Sequence, residues 1–528
     1  MKKFIALLFV QLYVVSFILC QTACAQFGVI DSTFGVNGIV KTPISATGSS
    51  VCNNLISLPN GKIIATGYVV SGNRDLFAIV RYNSNGTIDN TFANNGIDTV
   101  SINDTVLSIC YSSALQKDGK IILGGDYYLG AGLGYGFMAI RYNSDGSLDA
   151  SFGNKGAASF HVGTAGADNV GHSVSLQTDG KIIMAGTATV GGNTVFCVLR
   201  FTKDGTIDPT FGTNGVTTTV IGTGSNNCYS MAVQDDDRIV LGGDFQDGSA
   251  YKFTAVRYNK DGLLDNTFAN NGIFMDSIGV NDDDYGYATV IQKDQKIIFG
   301  GTAKKANTTN FAMLRLNASG VLDNTFGTGG VVVANFDPTS GTAADLGRRF
   351  ALQSDGKIII GGETYLHGSE YGLMRYNSDG SLDNTFGNAG RVVYKAGSTQ
   401  QHGYALTIDS NRKIILGGDA PVSLPSNFVL VSFTSGLSAG PNEVEAQNSN
   451  PFSLYPDPAN EIVSVSWPDA EDKKVDLKMV DIKGVEVLKT TAYGPEFKVD
   501  IRNLPSGVYI MTMTAGGVSK SGNICIQK

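Results

Sequence analysis

Short apolar runs, separated by polar turns that contain glycine, recur along most of the chain. The stretch from Gly330 to Asn377 holds four of them, GVVVAN, RRFALQS, KIIIGGE and YGLMRYN. Short runs rich in β-branched residues and bounded by turn residues are typical of β-strands. An Asp-Gly pair joins the second run to the third, which is a strong signal for a tight hairpin. The pattern therefore predicts four antiparallel strands in this stretch.

This block of four strands is one copy of an internal repeat. An Asp-x-Thr/Ser-Phe-x-x-x-Gly element recurs every 57 to 60 residues, at Asp31, Asp89, Asp149, Asp208, Asp265, Asp323 and Asp383. Two further elements, typified by ALQSDGKIIIGG and RYNSDG, recur in the same phase. Seven copies fill residues 31–437 with nothing left over.

Four antiparallel strands repeated radially form the blade of a β-propeller. A solenoid is the competing architecture, but its repeats are usually shorter and its terminal copies differ from the rest. All seven copies here are alike, as closure into a ring would allow. We therefore predict an all-β fold, a seven-bladed β-propeller built of repeats of about 58 residues.

The most constant element spans Arg375 to Gly390, and the copy that starts at Arg141 is identical to it at 13 of 16 positions. We expect it to join the last strand of one blade to the first strand of the next. Asp383 should accept a hydrogen bond near Thr385 in an Asx-turn, and Arg375 should pair with that aspartate or with a neighbouring blade. A residue present in every blade serves packing, so we interpret the seven repeated aspartates as structural.

These residues carry a family resemblance. The RYNxDGxLDxTFGxxG and DGKIIxGG elements, at this period, resemble the delta-60 repeat family of bacterial β-propeller-like sequences over residues 31–437. The resemblance implies the propeller fold and an exported or surface setting. It implies no defined activity, so no site residue is carried over.

Composition and the N-terminus set limits on partners. Residues 1–25 have a basic start, an apolar run and an Ala-Cys-Ala site, which predicts a secretory signal cut before Gln26. The remaining chain has 37 basic and 47 acidic side chains, a net charge of −10, without a basic cluster, which argues against nucleic acid. We expect no transmembrane segment after signal cleavage. The five scattered cysteines of the mature chain are expected to be buried free thiols.

The repeat stops at residue 437, and residues 438–451 read as a linker. Residues 452–528 alternate apolar and polar positions, which predicts a small Ig-like β-sandwich. This tail resembles the C-terminal sorting domain of the type IX secretion system in YPDPA, DIKG, LPSGVY and a basic last residue. The family usually has Asn where Asp457 stands. The resemblance implies recognition by the type IX secretion machinery, a tail commonly removed on passage, and a cargo that is secreted or attached to the outer surface of the outer membrane of a Bacteroidota-type bacterium.

Antiparallel order places two of the four connections of each blade on one face, and on that face they vary between blades. Specific recognition requires asymmetry, so we expect a glycan or surface protein ligand to meet this face. Aromatic side chains with nearby polar groups suit such ligands. The ligand-binding candidates are Tyr127, Tyr128, Tyr135, Phe245, Tyr365 and His367, although many of these rings could simply pack the loops.

Metal binding and catalysis have weaker signals. Asp282 and Asp284 could bind calcium, but a solvated acidic loop is the favoured interpretation. No catalytic motif is found, and the four histidines, His161, His172, His367 and His402, could converge only near the propeller axis. We therefore expect a non-enzymatic binding protein without a cofactor. The alternative is a propeller enzyme that acts on extracellular polysaccharide or peptide, for which carboxylates on separate blades leave no readable spacing.

Overall fold

The computed structural model describes residues 27–101, 107–130, 132–278, 283–305, 308–337, 344–397, 400–420, 426–437, 453–455, 461–467, 473–481, 485–494, 496–516 and 518–526. All the regular elements in these ranges are β-strands. The chain divides into two compact units, residues 1–439 and 440–528. No helix within these ranges is long and apolar enough to cross a membrane.

The first unit contains seven antiparallel sheets of four strands each, as predicted for a seven-bladed propeller. The first strand of the chain is β1 (Ile39–Thr42). Blade 1 then contains β2 (Ser50–Ser57), β3 (Ile63–Ser71), β4 (Arg74–Tyr82) and β5 (Ile97–Val100), and blade 2 contains β6 (Ser108–Leu115), β7 (Ile121–Tyr128), β8 (Tyr135–Tyr142) and β9 (Ala157–Phe160). Blade 3 contains β10 (Asn169–Leu176), β11 (Ile182–Val190), β12 (Asn193–Phe201) and β13 (Val216–Thr219).

Blades 4 to 7 continue the series. Blade 4 contains β14 (Asn226–Val233), β15 (Ile239–Asp247), β16 (Ala250–Tyr258) and β17 (Ile273–Asp276), and blade 5 contains β18 (Asp284–Ile291), β19 (Ile297–Lys305), β20 (Thr308–Leu316) and β21 (Val331–Ala334). Blade 6 contains β22 (Asp345–Leu352), β23 (Ile358–Thr364), β24 (Glu370–Tyr376) and β25 (Arg391–Tyr394). Blade 7 contains β26 (His402–Ile408), β27 (Ile414–Asp419) and β28 (Phe428–Phe433), and β1 completes it.

The ring is closed by the two ends of the repeat region. Strand β1 pairs antiparallel with β28, with Ile39 opposite Val431 and Thr42 opposite Phe428, and so supplies the fourth strand of blade 7. The first strand of each blade contacts the first strands of its neighbours, and β26 contacts β2. These seven first strands therefore surround the central channel.

The structure corrects the expected position of the repeated segment within the blade. The segment was expected to link two blades, but the strand that follows it pairs with the strand that precedes it, as β21 does with β20. It therefore connects the third and fourth strands of one blade. The physical reason is proximity: after the turn at the aspartate, the chain reaches the free edge of its own blade before any other edge.

The seams between blades hold the hydrophobic core. Residues of adjacent blades share each apolar cluster, as Ile64 and Phe77 of blade 1 do with Leu123 and Met138 of blade 2. Four of the five cysteines expected to be buried free thiols, Cys52, Cys110, Cys197 and Cys228, are so within these seams. The side chain of the fifth, Cys525, lies outside the described part of the structure. The propeller is thus held together mainly by apolar contacts between neighbouring sheets.

The C-terminal unit is a β-sandwich. One sheet has the order β29 (Ser453–Tyr455), β30 (Ile462–Ser466), β33 (Glu496–Asp500), and the other has β32 (Glu486–Tyr493), β31 (Lys474–Asp481), β34 (Gly507–Ala515), β35 (Val518–Ile526). A common core joins the two sheets, with Val465 and Trp467 on one side and Leu477 and Met511 on the other. This confirms the predicted sandwich.

Antiparallel order defines two faces of the propeller. The turns between first and second strands and the repeated segments lie on one face, called here the repeat face. The hairpins between second and third strands, and the links between blades, lie on the opposite face, called here the variable face. The ligand candidates from the sequence lie on or beside the loops of the variable face.

Candidate functional site

The repeated aspartates lie on the repeat face, where each one organises a turn. In blade 6, Asp383 Oδ1 accepts hydrogen bonds from the Thr385 backbone N at 3.1 Å and from its Oγ1 at 2.7 Å, which is the expected Asx-turn. The other six aspartates accept the same hydroxyl bond from the Thr or Ser two residues later, at 2.6–2.7 Å. Each turn is therefore fixed by the side chain that begins it.

The second carboxylate oxygen of these aspartates accepts a hydrogen bond from the arginine that lies eight residues earlier in six of the seven repeats. The Nε–Oδ2 distances are 2.6–2.9 Å in six blades, for Arg81–Asp89, Arg141–Asp149, Arg200–Asp208, Arg257–Asp265, Arg315–Asp323 and Arg375–Asp383. In each of these blades Nη1 also donates to a backbone carbonyl in the next blade. Both pairings considered for the arginine are thus present at once, and together they link the turn to the neighbouring blade.

These contacts keep the aspartates ionised. Burial alone would raise the pKa of Asp383, but hydrogen bonds from Thr385 and Lys357 outweigh it and lower the pKa to about 2. Gly380 has φ +85°, and a Cβ there would lie 2.9 Å from the Phe326 ring of the preceding blade. The segment is therefore closely packed as well as charge-paired, which leaves little of it available to a ligand.

The candidates on the variable face do not form one cluster. The rings of Tyr128 and Tyr135 lie 5.1 Å apart across a hairpin of blade 2, and Tyr127 packs against the core between blades 1 and 2. Phe245 in blade 4 is 8% exposed and lies in the hydrophobic core, not on the surface. Tyr365 is 37% exposed, and the exposed His367 ring has its Nδ1 3.5 Å from Glu370. No ring contact among the described residues joins the blade 2 pair to the blade 6 pair.

The acidic loop gives no metal site within the described residues. Asp282 lies outside the described residues. Asp284 is buried, and its Oδ2 accepts a hydrogen bond from the Ile278 backbone N at 2.8 Å. Nowhere in the described ranges do three or more His, Cys, Asp or Glu side chains cluster as metal ligands.

The central channel holds a set of side chains of which the sequence analysis named only His172, as one of the four histidines that could converge near the axis. Each first strand carries a β-bulge at equivalent positions, such as Cys52/Asn54 in blade 1 and Cys228/Ser230 in blade 4. A bulge re-aims the extra side chain. The residues at the bulges line one cavity of about 290 Å³, and we call them the channel ring: Asn53, Tyr111, His172, Tyr229, Tyr287, Arg348 and Tyr404.

The channel ring is a nearly continuous circuit of π contacts. Ring centroids lie 5.0 Å apart for Tyr111–His172, 5.2 Å for His172–Tyr229 and 5.1 Å for Tyr229–Tyr287. The Arg348 guanidinium continues the circuit, 4.9 Å from the Tyr287 ring and 5.8 Å from that of Tyr404. Such tilted and cation–π contacts hold the rings in fixed orientations around the axis.

Carboxylates of the second strands surround this ring. Glu363 pairs with Arg348 at 3.1 Å, and Asp419 lies 2.9 Å from His402 Nδ1. Burial raises the pKa of Asp126 and of Asp244 to about 7, and hydrogen bonds oppose the shift only in part. One oxygen of each of these two aspartates accepts no hydrogen bond from the residues described.

Two basic side chains in the cavity have defined protonation states. His172 Nδ1 lies 2.9 Å from the Cys228 carbonyl oxygen, so Nδ1 carries the proton and donates it. Burial lowers the pKa of His172 to about 4, which makes the ring neutral at pH 7 with Nε2 as an acceptor. Burial and the nearby charge of Arg348 lower the pKa of Arg349 to about 10, so this guanidinium remains charged.

A signal for the channel ring is present in the sequence. The residue lies three positions before the first residue of the ALQ element, as in CYSSALQ, CYSMAVQ and GYATVIQ. The position changes between blades, whereas the surrounding repeat is constant. Comparing the seven copies for positions that vary within the constant repeat would have identified the channel ring.

Comparisons with known families match both parts of the chain. The family described as domain of unknown function (DUF5122) beta-propeller matches residues 58–92, 116–152, 177–211, 234–268, 292–326 and 353–386. The family described as secretion system C-terminal sorting domain matches residues 453–527. No curated protein matches the chain.

Several solved structures are similar at low identity. A protein of unknown function from Dyadobacter fermentans is 11% identical with a TM-score of 0.41, covering 76% of this chain and 100% of its own. PorZ of Porphyromonas gingivalis, an essential bacterial surface component of the type IX secretion system, is 12% identical with a TM-score of 0.36, covering 92% of this chain. This chain spans 61% of PorZ. The β-propeller domain of the Trilobed protease from Pyrococcus furiosus is 9% identical with a TM-score of 0.36, covering 72% of this chain and 95% of its own. At these values none of the three carries an argument about ligand or activity.

Proposed function

Because the chain belongs to the DUF5122 beta-propeller family and ends in a secretion system C-terminal sorting domain, we propose that it is an exported, non-enzymatic binding protein whose propeller captures a glycan in its central channel. The sorting domain points to export through the type IX secretion system, to the cell surface or the medium. Residues 1–25 serve as the signal peptide that brings the chain to this system. After removal of the tail, the protein is released or attached to the outer surface of the outer membrane.

The single observation that supports glycan binding is the channel ring. Four tyrosines, a histidine and an arginine face one cavity of about 290 Å³. This volume is near the lower end of the range for small-molecule sites, so it suits one end of a sugar chain better than a protein surface. Aromatic faces cover the apolar side of a sugar, while hydroxyl and ring nitrogen atoms bond to its hydroxyl groups. The exposed tyrosines of the variable face, such as Tyr365, contact the remainder of the ligand.

A glycan array probed with the purified full chain tests this proposal. Tyr229→Ala opens the middle of the channel ring, whereas Tyr493→Ala removes a tyrosine that is 70% exposed in the C-terminal unit and serves as the matched control. We expect binding to weaken about tenfold or more in the first variant and to stay unchanged in the second. A parallel array with EDTA tests whether calcium takes part.

Three results would change the proposal. Loss of binding in Tyr365→Ala but not in Tyr229→Ala would move the site to the loops of the variable face. Equal binding by all three variants would place it outside the propeller channel altogether. A blank array would remove the glycan and favour a protein partner.

One observation favours an enzyme as the second candidate. Asp126 and Asp244 have pKa values raised to about 7, as an acid–base catalyst at neutral pH requires. Against this, the two residues are 3% and 0% exposed, so neither carboxyl reaches a substrate in the cavity. Release of reducing sugar from a bound polysaccharide, lost in Asp126→Asn or Asp244→Asn, would establish the enzyme.

A further inference from the structure

Arg349 breaks the pattern of the position that it occupies. It is the residue directly after the bulge of β22, opposite Gly361 of the neighbouring strand. The equivalent residues of the other six blades are small, namely Asn54, Ser112, Ser173, Ser230, Ala288 and Ala405. A guanidinium is too large for the seam that these small side chains fill, and Arg349 lines the channel cavity instead.

The charge of Arg349 has no partner among the residues described. The arginines of the repeated segments each pair with an aspartate, and Arg348 pairs with Glu363 at 3.1 Å. For Arg349, by contrast, no carboxylate oxygen of a described residue lies within 4.0 Å of the guanidinium. Its hydrogen bonds run from Nη1 alone, to the carbonyl oxygens of Arg348 at 3.1 Å and of Tyr287 at 3.5 Å.

The free side of this guanidinium has the geometry of an anion receptor. Nε and Nη2 donate to no described residue, and together they form the fork that binds a carboxylate or sulfate through two parallel hydrogen bonds. An unpaired charge in a half-buried position is unfavourable for the protein alone. Its cost is offset when an anion from outside completes the pair.

We propose that Arg349 receives an anionic group of the ligand, a carboxylate or sulfate, at the blade 6 side of the channel. That the rest of the ligand is a saccharide rests on the proposed function. The surrounding groups agree with this polarity. The carboxylates of Glu363 and Asp419 are already paired, and Asp126 and Asp244 lie on blades 2 and 4. The neutral His172 offers its Nε2 to a hydroxyl group of the same ligand.

Inorganic sulfate is the probe that tests the anion site without a known glycan. The full chain is titrated with sodium sulfate against sodium chloride at equal ionic strength, and the tyrosine bands of the near-ultraviolet circular dichroism are followed. We expect a saturable change, because an anion at Arg349 lies among the rings of the channel. Arg349→Gln should abolish the change, and Arg349→Lys, which keeps the charge but not the fork, should weaken it about tenfold. Arg74→Gln, at an exposed arginine of the hairpin between β3 and β4, is the matched control and should respond as the wild type does.

The outcomes separate this inference from the proposed function. A saturable response that persists in Arg349→Gln, or the absence of any response in a correctly folded wild type, overturns the anion site. Array binding to neutral glycans that Arg349→Gln retains leaves the proposed function standing and overturns the inference. A sulfate response that depends on Arg349, together with a blank array, supports the anion site and removes the saccharide.

Discussion

Replacing Asp208 with alanine tests the role of the repeated aspartates in the repeat face. Its Oδ1 accepts bonds from the Thr210 backbone N at 3.1 Å and from Thr210 Oγ1 at 2.7 Å, and its Oδ2 lies 2.8 Å from Arg200 Nε. Arg200 is 3% exposed and donates in addition to the Lys260 carbonyl of blade 4. The alanine therefore removes a turn and leaves a buried guanidinium without its counter-ion.

The expected loss of stability follows from these contacts. Leaving one member of a buried ion pair without its partner costs about 3–5 kcal/mol. Asp208→Asn keeps the acceptor for Thr210 and loses only the charge, so it should cost less, about 1.5–3 kcal/mol. Asp261→Asn is the control, because Asp261 is exposed and 3.9 Å from Arg200; its cost should stay below about 0.5 kcal/mol.

Urea unfolding followed by the near-ultraviolet circular dichroism of the tyrosines measures the propeller. The only tryptophan, Trp467, lies in the C-terminal unit, so its fluorescence follows that unit in the same sample. We expect the urea midpoint of the tyrosine transition to be lowest for Asp208→Ala, intermediate for Asp208→Asn and highest for Asp261→Asn. The midpoint of the tryptophan transition should be unchanged in all three variants. If Asp208→Ala loses no more stability than Asp261→Asn, the turn and its ion pair do not hold the blades together, and the structural interpretation fails.

Two further predictions concern the repeat face, and a third concerns Arg349 in the channel. The pKa of Asp208 is lowered from 3.8 to about 2 because hydrogen bonds from Thr210 and Lys181 outweigh burial. The stabilisation by this carboxylate is therefore present above about pH 4 and lost as the pH falls towards 2. Between these pH values the free energy of unfolding should fall less in Asp208→Asn than in the wild type, as urea unfolding at each pH would measure. In blade 7 Ser432 replaces the arginine, so Lys413 is the cation bound to Asp31, and Lys413→Met should cost about 2 kcal/mol in urea unfolding, against about 1 kcal/mol or less for Lys120→Met in a blade that keeps its arginine. Arg349→Met removes an unpaired charge and should raise the unfolding free energy of the unliganded protein by about 1 kcal/mol; a loss of stability would mean that Arg349 has a partner in the folded protein.

The sequence predicted the blade well because seven copies repeat the same local information. An aspartate two residues before Thr or Ser, eight residues after an arginine, predicts both the Asx-turn and the ion pair, and the structure contains both. The repeat pattern does not show whether the segment connects two strands of one blade or links two blades. A strand such as Val331–Ala334 has the same apolar pattern whether it pairs with the preceding strand or begins the next blade. Only the order of pairing decides between them, and pairing is a tertiary property.

The closure of the ring was hidden for a related reason. Strand β1 has only four residues, IVKT, and its partner β28 lies almost 400 positions later. Nothing local distinguishes a first strand that completes the last blade from one that begins the first blade. Blade 7 departs from the pattern, with serine at position 432 where the other blades have arginine.

We propose that the function of this repeat protein is to be sought at the channel ring. Identical residues in every blade perform what every blade needs, so we interpret the aspartates and arginines of the repeat face as structural. A ligand on the axis meets all seven blades at one position each, and it can be recognised only if that position has constant geometry and variable chemistry. The bulge meets both conditions, since the backbone shift recurs while the side chain changes from Asn53 to Tyr111, His172 or Arg348. The asymmetry that specific recognition requires is therefore present in the channel as well as in the loops of the variable face.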